Sequence, residues 1–468
     1  MKPGTRNYMI TFIALGLVAS SCATYYQKHL DFNSEFEKGD LPRALEVLEK
    51  KASLANSKSK FLYFLNNGVL LSILGKYEAS NEYFEKAYFF GEDYHVNYFH
   101  EAAGYLTNPN MSIYRGEDHE HLMLLYFKAI NFLKLNRPVD ALVECRRLNI
   151  RLNQLSDKYR SESRFQRDAF IHNLMGIIYQ STGDYNNAFI AYRNALDVYE
   201  NDYSRLFSVG VPWQLKHDLL NTAWWTGFTE EFRQYQEKFA MQDYVPGKPG
   251  TELVFFWHNG LSPVKGEWNL NFVIDHKADN VVVFTNKSLG ISFPFQVEEQ
   301  QEKSDLQRLE FFRVAFPKYE ERPEYYREAF LEIDSIAIPL ELSEDISKIA
   351  FHSLRERMVL ELSKGLLRAA LKKAAELSIK KEDEGVAALI GVVNALTERA
   401  DTRNWQTLPH SIYYARVPLK PGQNEVRFTL GVGSDEASYN FSYHAGKGET
   451  LFHTFSSLET SEVPYRIY

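Results

Sequence analysis

The chain of 468 residues has only two cysteines, Cys22 and Cys145, so at most one intrachain disulfide could form. Beyond its N-terminus it has no run of about 18 apolar residues, the length that a membrane-spanning helix needs. It also has no long basic run, and its formal net charge is −8. Nucleic acid prefers a basic surface, so we expect no nucleic-acid partner.

Recognisable catalytic motifs are also absent. The sequence has no Gly-x-Ser-x-Gly, His-Glu-x-x-His, Gly-x-x-x-x-Gly-Lys or Cys-x-x-Cys. A Ser-x-x-Lys spans Ser57 to Lys60, but no Lys-Thr-Gly accompanies it. We therefore predict a non-enzymatic protein without cofactor or metal. An enzyme built from dispersed acids and histidines would need a cleft with perturbed carboxylates between two domains.

The first 21 residues have the pattern of a secretory signal peptide. Lys2 and Arg6 precede an apolar stretch, and small residues at 19–21 lead to Cys22. This arrangement resembles the lipobox of bacterial lipoproteins, with Ala19 where leucine is usual. The resemblance implies cleavage before Cys22 and acylation of that residue, which would anchor the chain to a membrane and leave Cys145 without a disulfide partner. Ala23 favours the outer membrane, with the protein facing the periplasm.

Residues 22–246 carry an internal repeat. The stretch from Gly176 through Gly183 to Ala195 resembles a tetratricopeptide (TPR) repeat, with small residues where two antiparallel helices touch. The same offsets recur in units that contain Gly68 and Ala141, and a half-unit contains Gly39. Such repeats stack into a solenoid with a concave binding surface, so we predict a protein partner there. Residues 218–239 would form a closing helix pair.

Two features inside the repeat region have alternative readings. Cys145 falls on a core position, so we interpret it as a buried small hydrophobic residue and not as a nucleophile. His95, His100, His119 and His121 would be the ligands of a metal site, but their spacing fits no compact one. The acidic residues around His119 instead indicate the start of a helix.

The sequence changes character after residues 247–250, where Gly and Pro predict a domain boundary. Residues 251–468 should form a β-rich domain that resembles a β-sandwich, with a helical insertion at about 343–400 and Ser343 as its N-cap. The predicted strands are 251–257, 269–274, 280–285, 291–295, 311–316, 335–340, 412–417, 426–430, 439–443 and 451–455. The fold class is thus multidomain, α then α+β: a TPR-like α-solenoid followed by a β-sandwich-like domain.

Several local strings together resemble a little-characterised family of bacterial TPR-containing envelope lipoproteins. They include residues 259–265 (Asn-Gly-Leu-Ser-Pro-Val-Lys), residues 342–346 and the Asp-Thr-Arg-Asn-Trp-Gln-Thr-Leu-Pro string at 401–409. Members are often encoded near lipoproteins that resemble activators of penicillin-binding proteins, which implies a role in peptidoglycan or envelope assembly. No catalytic residues can be carried over. The candidate site residues are Lys265, Asp401, Arg403 and Trp405. For these residues we favour a structural role over a functional one.

The leading hypothesis is a lipid-anchored, non-enzymatic envelope scaffold that binds protein partners through its repeats. The alternative is a glycan- or nutrient-capture lipoprotein that works with an outer-membrane transporter, since aromatic side chains make up 15% of the chain and suit stacking on sugars.

Overall fold

The computed structural model describes residues 23–93, 112–159, 167–277, 280–299, 302, 306, 309–380, 400–431 and 436–460. The predicted signal peptide and Cys22 lie outside these residues. The α-helices are α1 (Tyr25–Lys28), α2 (Leu30–Glu37), α3 (Leu41–Lys50), α4 (Lys60–Ile73), α5 (Tyr77–Asp93), α6 (Asp118–Lys134), α7 (Pro138–Tyr159), α8 (Ala169–Ser181), α9 (Tyr185–Val198), α10 (Ser204–Leu206), α11 (Trp213–Thr226), α12 (Thr229–Lys238) and α13 (Ile346–Lys380). Short 3₁₀ segments cover Ala52–Asn56 and Ser457–Glu459, and a π-turn covers Tyr199–Tyr203.

The helices of the first half form pairs, as the repeat predicts: α2 with α3, α4 with α5, α6 with α7, α8 with α9 and α11 with α12. A residue with positive φ reverses the chain inside every pair, namely Gly39, Gly75, Asn136, Gly183 and Gly227. Glycine and asparagine adopt this left-handed conformation at the lowest cost, which explains why they stand there.

Small residues of the repeat lie where the two helices of a pair approach closely. A Cβ at Gly68 of α4 would meet the ring of Phe84 on α5, and one at Gly176 of α8 would meet the ring of Tyr192 on α9. Cys145 of α7 is buried in the same core, and burial raises the pKa of its thiol. The interpretation of Cys145 as a packing residue is confirmed.

The second half contains twelve strands among its described residues. They are β1 (Thr251–Asn259), β2 (Val264–His276), β3 (Val281–Asn286), β4 (Ile291–Gln296), β5 (Phe311–Glu320), β6 (Ala329–Ile333), β7 (Ile336–Pro339), β8 (Glu341–Asp345), β9 (Ser411–Leu419), β10 (Gly422–Leu430), β11 (Ala437–Ala445) and β12 (Thr450–Ser456). All ten predicted strands are present. The sequence analysis missed β6 and β8: β8 is mostly acidic, and β6 is a five-residue strand between the charged residues Glu328 and Asp334.

Three four-stranded sheets result. The central sheet has the order β12-β1-β9-β8, the outer sheet β11-β10-β6-β7 and the distal sheet β4-β3-β2-β5. In the central sheet β1 runs parallel to β12 and antiparallel to β9. The β-rich second half is confirmed, and the central and outer sheets share one hydrophobic core, with Phe255 and Trp257 of β1 packed around Phe428 of β10.

The central sheet is buried on both faces, because its other side packs on the helices. Val254 and Phe256 of β1 belong to the same hydrophobic core as α4, α6 and α8, and Phe256 lies against Phe170 of α8 with ring centroids 6.1 Å apart. Residue 251 therefore marks a change of secondary structure, while the hydrophobic core continues across it.

The helical insertion packs on the distal sheet. Leu362, Leu366 and Ala370 recur every four residues on α13, so one face of this helix meets the apolar side of the sheet. The expected N-cap was wrong: Ser343 lies inside β8, and the Asp345 carboxylate accepts the backbone N–H of Lys348 instead. The apolar residues 385–396 lie outside the described residues. Within the described part of the chain, no helix combines the length and apolarity needed to cross a membrane.

Candidate functional site

A loop of residues 401–410, here called the docking loop, lies between the helical half and the sheets. The ring of Trp405 is buried against Phe84 and Phe127, at centroid distances of 6.1 and 5.9 Å. Its indole N–H donates to Thr407 Oγ1 at 2.8 Å, and its backbone N–H donates to Glu120 Oε1 at 2.6 Å. Trp405 thus anchors the loop on α5 and α6.

Asparagines on α2 and α4, each of which is the first helix of its pair, hold the next part of the docking loop. The Gln406 amide donates to Asn33 Oδ1 of α2 at 2.6 Å, and the Thr407 hydroxyl donates to Asn66 Oδ1 of α4 at 2.9 Å. A buried amide needs a hydrogen-bond partner, so these bonds specify the position of the docking loop on the helices.

The start of the docking loop is closed by an ion pair. Arg403 donates to both carboxylate oxygens of Asp401, at 2.8 and 2.6 Å, and its guanidinium also donates to the Ser112 carbonyl at 3.1 Å. The guanidinium lies 5.1 Å from the ring centre of Tyr114. Two-pronged pairing of this kind fixes geometry as well as charge.

Lys265 is completely buried and pairs with Glu117, the residue before α6. Arg357 of α13 donates to the same carboxylate at 2.7 Å. Burial alone would raise the pKa of Glu117, but the charges of Arg357 and Lys265 outweigh it and hold that pKa well below its usual value. One carboxylate therefore joins the helical half, β2 and α13.

Glu120 lies one turn further along α6, and its pKa is shifted in the opposite direction. Its carboxylate accepts hydrogen bonds from Tyr114, from the Glu117 backbone and from the Trp405 backbone. Burial, with the negative charge of Glu117 nearby, raises the pKa of Glu120 to about 7.

The structure brings together all four candidate residues of the second half, Lys265, Asp401, Arg403 and Trp405. Sequence analysis missed Arg322, which adds further contacts between the helical half and the second half of the chain. It donates to the Ser262 carbonyl, to Glu37 Oε1 at 2.6 Å and to the Gln406 carbonyl. These groups are buried and bonded to one another across the two halves of the chain, so they join the helical half to the sheets.

The histidines considered as metal ligands do not form a site in the described part of the chain. His119 lies beside the ring of Tyr319, and burial lowers its pKa to about 4. His121 makes a 2.7 Å hydrogen bond with the Arg115 carbonyl. His95 and His100 lie outside the described residues, and no group of three His, Cys, Asp or Glu that could hold an ion occurs within them. The acidic helix start is present, with Glu117 and Glu120 capping α6.

An open space of about 620 Å³, the junction cleft, lies between the last helix pair and the central sheet. It is lined by Gln180, Tyr185, Gln214, His217, Asp218, Asn221, Trp225, Tyr244, Gly247, Lys248, Pro249, Gly250, Thr251, Glu252, Arg416, Pro418, Gly448 and Thr450. Most of its walls come from α11, the 244–250 connection, β1 and β9.

A buried arginine organises the floor of the junction cleft. Arg416 of β9 donates to both oxygens of Glu252 at 3.1 and 3.2 Å and to the Tyr192 hydroxyl at 3.0 Å. Its Nη2 also lies 3.4 Å from Asp218 Oδ2. Burial raises the pKa of Asp218 to about 6, although the charge of Arg416 opposes this shift.

Aromatic rings form one wall of the cleft. The rings of Tyr185 and Trp225 are 5.0 Å apart, and the Trp225 indole donates to the Gly247 carbonyl at 2.8 Å. His217 and Tyr244 stack nearly parallel at 5.1 Å. Sequence reasoning missed this site because its residues are dispersed from 180 to 450 and form no local motif.

Neither a protein-family model nor a curated protein sequence matches the chain. Among solved structures, BtubC (BKLC) from P. vanneervenii is 15% identical, covers 46% of this chain and 80% of its own, and has a TM-score of 0.32. A Rap protein complexed with Competence and Sporulation Factor is 15% identical over 46% of this chain and 52% of its own, with a TM-score of 0.28. The Rap conjugation gene regulator of plasmid pLS20, in complex with the Phr* peptide, is 17% identical over 47% and 53%, with a TM-score of 0.27. This chain thus spans about half the length of the two Rap structures, and these TM-scores are too low to assign function.

Proposed function

We propose that the protein is a lipid-anchored, non-catalytic scaffold of the bacterial envelope that binds a protein partner through the second helices of its repeats. One observation carries the proposal: the chain's own second half packs on α4, α6 and α8, the first helices of three successive pairs, while their second helices α5, α7 and α9 expose large apolar side chains.

Contacts with the sheets and the docking loop cover the first helices. A 2.8 Å hydrogen bond joins the Tyr126 hydroxyl of α6 to His258 of β1. Trp405 packs on Phe127 of α6, and Phe256 packs on Phe170 of α8. The repeat pattern alone favours a partner on the concave side of the solenoid. Because the chain occupies this side of its first helices, we assign the partner to the second helices.

The second-helix face is defined here by the exposed apolar residues of α5, α7 and α9: Phe89, Val139, Val143, Ile150 and Ile190. On α7 three of them are spaced by four and seven residues, so they project from one side of the helix. Val139 is 68% and Ile150 is 58% exposed. Exposed apolar side chains on three successive second helices favour a protein that offers complementary apolar residues, such as an envelope enzyme or its activator.

The expected lipid at Cys22 would hold this scaffold close to a membrane. The backbone N–H of Tyr25 donates to the Thr402 hydroxyl at 2.9 Å, so the chain is fixed to the docking loop three residues after Cys22. An extended chain of three residues spans about 11 Å at most. An anchor at Cys22 would therefore place the helical half beside the lipid surface, and Ala23 favours the outer membrane, with the protein facing the periplasm.

In-cell crosslinking followed by affinity capture tests the proposal. Wild type would be compared with Cys22→Ala and with Val143→Glu/Ile150→Glu. Asn153→Glu/Gln154→Glu is the matched control, because it adds the same two charges at exposed polar positions of α7. We expect cell-wall synthases or their activator lipoproteins to be captured by wild type and by Asn153→Glu/Gln154→Glu, and to be lost from Val143→Glu/Ile150→Glu.

Three results would contradict the proposal. Equal capture by Val143→Glu/Ile150→Glu would exclude the second-helix face as the binding surface. Capture of an outer-membrane transporter instead would favour the glycan-capture function. If Cys22→Ala still fractionated with membranes as wild type does, the hypothesis of a lipid anchor at Cys22 would be wrong.

A further inference from the structure

The junction cleft has the size of a small-molecule site. Its volume of about 620 Å³ lies within the 300–1,000 Å³ that is common for ligand sites. The cleft lies between α11 and the central sheet, apart from the exposed residues of α5, α7 and α9. An inference about the cleft is therefore independent of the proposed protein partner.

Two buried polar atoms on residues that line the cleft have no hydrogen-bond partner. They are Asp218 Oδ2 and Arg416 Nε, and both residues are more than nine-tenths buried. The Asp218 Oδ2 atom has only an ionic contact with Arg416 Nη2. Buried polar atoms are nearly always paired, so an unpaired acceptor and an unpaired donor beside an open cleft point to a ligand with both hydrogen-bonding functions.

Planar polar side chains surround these atoms. Tyr192 donates to Gln180 Oε1 at 2.9 Å, and Tyr244 donates to Asn221 Oδ1 at 2.8 Å. These bonds use the carbonyl oxygens and orient two fixed amides whose N–H₂ groups are donors. Gln214 donates to Asp218 at 2.8 Å, which fixes a third amide. Held amides and carboxylates suit a ligand with several neighbouring hydroxyls, since each hydroxyl donates and accepts.

The aromatic wall complements this polar floor. Tyr185 and Trp225 are half-buried, so their rings are partly open to the cleft. A pyranose ring has an apolar face of C–H groups that packs on an aromatic ring, while its hydroxyls point to the polar side chains around it. The combination distinguishes a sugar from a purely apolar ligand, which would leave the polar floor unpaired.

The charges of the lining residues favour an uncharged ligand. Asp218 and Glu252 are balanced by Arg416 and Lys248, and Arg416 is already engaged with both acids. An anionic ligand would have to displace a carboxylate from Arg416, and a cationic one would meet Arg416 itself. We infer that the junction cleft binds a neutral saccharide, which stacks on Tyr185 and Trp225 and is hydrogen-bonded by Asp218, Asn221 and Arg416.

Isothermal titration of the full-length mature chain with cellotetraose and with the N-acetylglucosamine tetramer tests this inference. We expect saturable binding of at least one of the two, weakened about tenfold in Tyr185→Ala and in Asn221→Ala. Trp224→Ala is the matched control, because this neighbouring tryptophan is exposed and lies outside the residues that line the cleft. The Trp224→Ala variant should bind the tetrasaccharide with the affinity of wild type.

The inference is overturned if the folded protein binds neither tetrasaccharide. It is also overturned if binding is equally strong in Tyr185→Ala and Asn221→Ala, or if polygalacturonate, an anionic glycan, binds in place of the neutral ones. Circular dichroism of each variant shows that a loss of binding does not come from unfolding. None of these outcomes depends on capture of a protein partner by the second-helix face.

Discussion

The carboxylate of Glu120 on α6 accepts the backbone N–H of Trp405 at 2.6 Å, across 285 positions of sequence. An N–H in a loop has no partner from a regular ladder, and this one is satisfied by a side chain of the helical half. The Trp405 ring also packs against Phe84 and Phe127. One residue therefore supplies both the apolar contact of the docking loop and the hydrogen bond that fixes the position of its backbone.

Replacing Trp405 by alanine should weaken the whole structure. The substitution removes a fully buried ring and leaves a cavity between α5, α6 and the sheets, which costs about 3–5 kcal/mol in typical cores. Urea denaturation would measure the free energy of unfolding. The exposed Trp224 is the matched control, and Trp224→Ala should cost about 1 kcal/mol or less. Equal losses in the two variants would mean that the docking loop does not contribute to the common core.

Glu120 should make stability depend on pH. Its pKa is about 7 in the folded protein, above its ordinary value of 4.5, so the folded state retains a proton that the unfolded chain releases between these values. This contribution is fully present below pH 4.5 and is lost as pH rises to 7. Relative to Glu120→Gln, wild type should lose on the order of 3 kcal/mol across this window.

The comparison with Glu120→Gln is needed because buried histidines act in the opposite direction. His119 and His258 have pKa values lowered to about 4 by burial, so their contribution rises with pH between 4 and 6.5. These histidines are common to both proteins and cancel in the difference. Glu46→Gln, at an exposed carboxylate, is the control and should follow wild type. Parallel curves for wild type and Glu120→Gln would show that Glu120 titrates normally.

Lys265→Met should be strongly destabilising at neutral pH. It removes one of the two cations that hold Glu117, and an undercompensated buried charge costs about 3–5 kcal/mol. In the variant, Glu117 can relieve part of this uncompensated charge by taking up a proton as pH falls towards 4, whereas in wild type its lowered pKa keeps it ionised. The loss should therefore shrink at low pH. Urea denaturation at pH 7 and pH 4 checks both parts, with the exposed Lys50→Met as control. A loss that is the same at both pH values would exclude Glu117 as its source.

Local patterns made most of the architecture predictable. The repeat predicted the helix pairs because glycines such as Gly68 and Gly176 must stand where helices touch, and the alternation of β10 predicted its buried face. The grouping of four predicted strands into a separate third sheet, and the packing of the predicted helical insertion on it, were not expected, since a strand with one apolar face does not reveal which element covers it. β1 is apolar at consecutive positions because it is buried on both sides.

The functional geometry was only partly predictable. The string at 401–409 indicated Asp401, Arg403 and Trp405, yet Glu117, Glu120 and Arg322, which hold it, are isolated charges in the sequence. Their role arises from tertiary contacts that a local pattern does not encode. The junction cleft shows the same limit, because Asp218 and Arg416 are separated by almost half of the chain.

Gly68→Ala tests the close helix contact that the repeat encodes. Helix propensity alone predicts that alanine stabilises by about 1 kcal/mol. The added Cβ would lie 2.5 Å from the ring of Phe84, which packs on Phe127 and Trp405 and has no space to move away. Overpacking of this kind costs about 1–3 kcal/mol, so we expect a net loss of stability.

The matched control is Gly210→Ala, at a loop position where the new Cβ meets nothing within 4 Å. That variant should be neutral or gain up to about 1 kcal/mol, because alanine restricts the unfolded chain. Thermal and urea unfolding of both variants would measure the difference. If Gly68→Ala were as stable as Gly210→Ala, the ring of Phe84 would have to shift without disturbing Trp405, and the helix pairs would not transmit packing strain to the docking loop.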